Sequence, residues 1–118
     1  ITAFGGLIGD ADKKALTPEF AEDEATMFRR SLSVSYDGWI DDDLAFIQPF
    51  GFSIEEIDKP VVIWQGDDDF MVPHAHSYWL QKQIPAARLN FVPGHGHISI
   101  GEEFRPNIIK EAIDFLNA

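Results

Sequence analysis

"PVVIWQGDDDFMVPHAHSYWLQKQIPAARLNFVPGHGHIS", residues 60–99, is the stretch on which the fold of this chain turns. After Pro60 comes an apolar run, Val61, Val62, Ile63 and Trp64, with no polar alternation, the pattern of a strand buried on both faces. Gly66 and three consecutive aspartates, Asp67, Asp68 and Asp69, close it. Ala75, Trp79, Leu80 and Ile84 then recur at helical spacing until Pro85, and residues 88–94, "RLNFVPG", read as a second short strand. Further on, Ile108, Ile109, Ala112, Ile113 and Leu116 share one face of a last helix, with Pro106 near its first turn. Strands alternating with helices imply parallel pairing, so the expected fold class is α/β, with a β-α-β-α second half.

In open parallel sheets, reactive groups gather beyond the carboxyl ends of the strands. Asp67, Asp68 and Asp69 follow the first strand, and "PGHGHIS", with His95 and His97, follows the second. Neighbouring strands lie about 5 Å apart, so an Asp and a His just beyond their ends can meet. Such a pair has a use: the carboxylate fixes the imidazole tautomer and stabilises the imidazolium formed when the other ring nitrogen takes a proton. A plain surface ion pair, or two glycine-punctuated turns, accounts for the same residues, and at this level both readings stay open. A metal site built from His74, His76, His95 and His97 is disfavoured. Two His-x-His pairs on separate elements are no established zinc spacing, and His74 and His76 on a helix point to different faces.

The first half reads differently. Residues 1–16, with Gly5, Gly6 and Gly9, are expected to be irregular. Thr17 and Pro18 form an N-cap and first helical residue, and Phe20, Ala21, Ala25, Phe28 and Leu32 carry an amphipathic helix to about Val34. Trp39, Ile40, Leu44 and Ile47 mark a second, shorter helix, stopped by Pro49 and Gly51. Asp41, Asp42 and Asp43 are read as its solvated face, and Trp39, Trp64 and Trp79 as packing residues, although Trp39 could also line a pocket.

Composition narrows the partners. The chain has 118 residues, enough for one domain, and a formal charge of −11, which opposes binding to phosphate backbones and anionic membranes. No nucleic-acid or membrane partner is expected. Without cysteine there is neither a disulfide framework nor a thiolate metal site, which fits a cytoplasmic location. The first residue is Ile1 and not Met, so the chain is read as a piece of something longer. Two parallel strands alone would also leave two long edges, so homo-oligomerisation or association with an N-terminal portion is expected.

Residues 60–99 resemble the C-terminal third of the α/β-hydrolase family. Gly66, Asp69, Val72 and Pro73 match the family's Gly-x-x-Asp-x-x-Val-Pro turn, and Gly96-His97 matches its Gly-His loop, in family order. The resemblance implies that Asp69 is the triad acid and His97 the base, with no cofactor and a small-molecule substrate in the intact enzyme. It makes residues 1–55 a helical cap-domain remnant and linker, and residues 56–118 the C-terminal part of the catalytic domain. His97 is preferred to His95 by family register, and Asp67 and Asp68 are read as solvated turn residues without a catalytic role.

The departure from the family is the nucleophile. No Gly-x-Ser-x-Gly elbow occurs. Gly51-Phe52-Ser53-Ile54-Glu55 lacks the second glycine, and Ser31, Ser33 and Ser35 sit at a helix end. The expected function is therefore the C-terminal part of a serine-type hydrolase of ester, amide or similar bonds, inactive alone. An Asp nucleophile, as in dehalogenase- or epoxide-hydrolase-like enzymes, fits the same residues. A non-catalytic, self-associating fragment or binding module is the remaining reading.

Overall fold

The computed structural model describes residues 2–117. It is a mixed α/β structure in which two parallel strands, β1 (Val61–Gly66) and β2 (Ala87–Val92), pair in register from Val61↔Ala87 to Gly66↔Val92. Five α-helices accompany the sheet: α1 (Asp10–Ala15), α2 (Pro18–Ser31), α3 (Asp37–Phe46), α4 (His74–Gln83) and α5 (Ser99–Leu116). Helix α4 joins the two strands, which is what parallel pairing requires.

Local chemistry explains most boundaries. Thr17 Oγ1 accepts from Phe20 N at 3.2 Å, and Pro18 occupies the first helical position of α2, where its missing N–H costs nothing. β-branched Val61, Val62 and Ile63 suit the pleated surface of β1. Helix α4 begins after Pro73 and stops before Ile84-Pro85.

Three expectations need correction. The segment expected to be irregular, residues 1–16, is largely helical over its described part: Thr2–Leu7 forms 3₁₀ turns bent at Gly5 and Asp10–Ala15 is helical, while Ile1 lies outside the described residues. A six-residue helix is too short to show a periodic pattern or to hold by itself, and it depends on distant contacts. Ile8 supplies one of these, an isolated antiparallel bridge to Asp69. The last helix begins at Ser99, with Pro106 inside it rather than near its first turn. Pro106 and Glu102 are both exposed, so the carbonyl left without a proline N–H faces water. Finally, Val61, Val62, Ile63 and Trp64 are half-buried, not buried on both faces, because a two-stranded sheet has too little around it.

The core is correspondingly small. Ile8, Leu16, Ile54, Ile84 and Ile100 are buried. Trp64 packs against Phe104, ring centroids 5.3 Å apart, and donates Nε1–H to Glu111 Oε2 at 3.1 Å. Arg88 completes that contact and holds the Glu111 carboxyl below its usual range. By contrast Trp39, Ile40, Leu44, Phe46, Ile47, Phe50 and Phe52 are exposed. Trp39 stacks on Phe28 at 5.7 Å and lines a groove between α2 and α3, to which the exposed Asp42 and Asp43 also contribute, while Asp41 is exposed away from it. Trp79 is also exposed. Among the described residues no helix is long and apolar enough to cross a membrane.

Candidate active site

The carboxyl ends of β1 and β2 carry the two loops of interest, and backbone contacts lock them together. Asp68 N donates to His95 O at 2.8 Å and Asp67 N to Val92 O at 3.2 Å. Gly66 permits this approach, because a Cβ there would overlap the His95 carbonyl. Asp67 and Asp68 stand in the turn, as expected, with Asp67 exposed, and their carboxylates tie that turn to neighbouring segments. Asp67 Oδ1 accepts from Gly94 N at 2.6 Å, tying the β1 loop to the β2 loop, and Asp68 Oδ2 accepts from Ala11 N at 3.0 Å, tying it to α1.

Asp69 and His97 are brought together. Asp69 Oδ2 lies 3.1 Å from His97 Nδ1. The other carboxylate oxygen, Oδ1, accepts from Met71 N and Val72 N, both at 2.9 Å, the local turn that an aspartate at this place favours. Gln65 Nε2 adds a further donor to Oδ2 at 3.0 Å. The Asp69 side chain is only 6% exposed and can accept but not donate when ionised, so Nδ1 of the neutral ring carries its proton toward it. The His97 ring is 46% exposed. Its Nε2, with no hydrogen-bond partner among the described residues, is left as an accessible proton acceptor.

His95 stands in a different situation. Its Nδ1 is 2.9 Å from Pro93 O and its Nε2 3.0 Å from Glu103 Oε2, so both nitrogens meet acceptors. The Glu103 hydrogen bond, aided by the Pro93 carbonyl, raises its pKa above the ordinary 6.5. The ring also lies edge-on to Phe104 at 5.2 Å. It bridges the β2 loop and helix α5, and neither of its ring nitrogens is free. His74 packs edge-on against Phe91 at 5.1 Å and His76 is exposed. Among the described residues, no three His, Asp or Glu side chains converge to hold a metal ion.

Beside His97 opens a cleft of about 340 Å³ lined by Phe20, Phe28, Met71 and Ile98, with Glu24 and Glu102 at its polar side. Helix α2 thus provides one wall and the two loops the other. The serine hydroxyls of the first half are engaged elsewhere: Ser31 Oγ donates to Met27 O at 2.9 Å, Ser33 Oγ to Arg30 O at 2.8 Å, and Ser35 Oγ accepts from Asp37 N at 3.2 Å. Ser53 is exposed ahead of a short 3₁₀ turn, Ile54–Glu56.

Two residues of the site escape a sequence reading. Gln65, 4% exposed, could have been noticed as a polar residue ending an apolar strand. Asp12, fully buried in α1, accepts from the backbone of the His97 loop and carries no local signal at all. No protein-family model matches the chain, and no curated protein or solved structure does either.

Proposed function

We propose that this chain belongs to a hydrolase of α/β type and supplies its acid and base. Its more particular assignment is a serine-type hydrolase of ester, amide or similar bonds. The observation that carries the reading is the Asp69–His97 pair, with a buried carboxylate 3.1 Å from Nδ1 and an accessible Nε2 on the other side of the ring. In this role Nε2 takes the proton of the nucleophilic hydroxyl as it attacks the substrate carbonyl, and then gives it to the departing group. A water deprotonated in the same way releases the acyl group. Asp69 stays ionised and stabilises the imidazolium.

The nucleophile is supplied from outside these residues, in keeping with the lack of an elbow in the sequence. An aspartate nucleophile would use the same pair, with His97 activating the hydrolytic water. The apolar cleft suits a small substrate with a hydrocarbon portion. Association of two copies, or of the chain with its complement, would cover the sheet edges and the exposed side chains of α3.

A fluorophosphonate probe tests the assignment. It should label the full-length gene product at a serine and leave the present chain unlabelled. Labelling of this chain by itself, or failure to label the full-length product, contradicts the serine-type reading.

A further inference from the structure

Asp12 has no exposed surface and no cationic partner among the described residues, yet it lies in a helix of only six residues. Burying a carboxylate is costly unless hydrogen bonds replace its hydration. Here four donors do so: Oδ2 accepts from His97 N at 3.0 Å, and Oδ1 from Ile98 N at 3.0 Å, Ser99 N at 2.9 Å and Ser99 Oγ at 3.0 Å. These N–H groups open α5, where the helix dipole also favours a negative charge.

Helix capping accounts for the bonds to Ile98 and Ser99 but not for the whole arrangement. Oδ2 is directed at His97 itself, and Gly96 allows the approach, since a Cβ at that position would overlap the Asp12 carboxylate. The same segment reaches the acid loop as well, through the Ile8 bridge to Asp69 and the Ala11 bond to Asp68. One short stretch of chain thus braces both partners of the pair.

We propose that Asp12 is a positioning residue, which holds the His97 backbone so that Nδ1 meets Asp69 and Nε2 faces the cleft. The inference rests on reading Asp69 and His97 as the acid–base pair. The His97 ring is then fixed at two points, its main chain by Asp12 and its Nδ1 by Asp69.

Asp12→Asn separates positioning from capping. Its remaining carbonyl oxygen can still accept from Ile98 and Ser99, while an amide donor now confronts His97 N–H. Long-range ¹H–¹⁵N spectra of the histidine rings in the ¹⁵N-labelled chain, recorded in alkaline buffer, report the tautomer directly. The wild type should show His97 with Nδ1 protonated and Nε2 bare. Asp12→Asn and Asp69→Asn should both lose that single-tautomer pattern, with His74 and the amides of β1 and α4 unmoved. Gly96→Ala, which displaces the carboxylate from the other side, should do the same and serves if Asp12→Asn fails to fold. His97 ring signals unchanged in Asp12→Asn or Gly96→Ala, but altered in Asp69→Asn, overturn the positioning role alone. Signals unchanged in Asp69→Asn as well overturn the pair and the proposal with it.

Discussion

Gln65, the penultimate residue of β1, donates its side-chain amide to Asp69 Oδ2 at 3.0 Å, the same oxygen that faces His97. The strand that leads to Asp69 thus also supplies one of its donors. Gln65 is 4% exposed, so no water readily replaces it. Gln65→Leu keeps the volume and removes the donor, and should destabilise the fold by about 1–3 kcal/mol. Urea unfolding measures this, and an unchanged midpoint would count against a buried, amide-supported Asp69.

Stability should also depend on pH through His95. Its folded pKa is raised above 6.5 by the Glu103 hydrogen bond, so the folded state holds the proton more tightly than the unfolded chain. That contribution is complete below 6.5 and is lost as pH rises through the raised value. Between about pH 5.5 and about pH 8.5 the wild type should lose more thermal stability than Glu103→Gln, which lacks the charged partner. Equal losses in the two proteins would show that the His95–Glu103 pair does not contribute to stability.

Among the described residues the sheet has two strands, and Val34, Phe46, Ile47 and Leu116 are each at least three-quarters exposed. Such a sheet is marginal in isolation. The chain should therefore self-associate, and light scattering coupled to size exclusion should give a mass above 13.3 kDa. A stable species at that monomer mass would argue that these surfaces tolerate water.

The sequence was most informative where interactions are local. Thr17-Pro18 announces α2, the unbroken run Val61–Trp64 announces β1, and parallel pairing of two strands is enough to bring the ends that bear Asp69 and His97 side by side. What it could not show depends on residues far apart. Helix α5 starts at Ser99 because Asp12 caps it from 87 positions away, and without that cap Pro106 is the only visible start. Helix α1 and the Ile8 bridge to Asp69 are invisible for the same reason. Asp67 and Asp68 look like spare charges until the loops that they tie, through Gly94 and Ala11, are seen in place.

In the proposed function His97, oriented by Asp69, is the proton acceptor of a hydrolytic site. Short-chain p-nitrophenyl ester hydrolysis by the full-length gene product, compared with its His97→Ala, Asp69→Asn and His95→Gln variants, tests it most directly. His97→Ala and Asp69→Asn should each lower kcat by at least about 10³-fold, with folding retained. His95→Gln should leave kcat within a few-fold of the wild type. Near-wild-type turnover in His97→Ala, or equal losses in His95→Gln and His97→Ala, would contradict it.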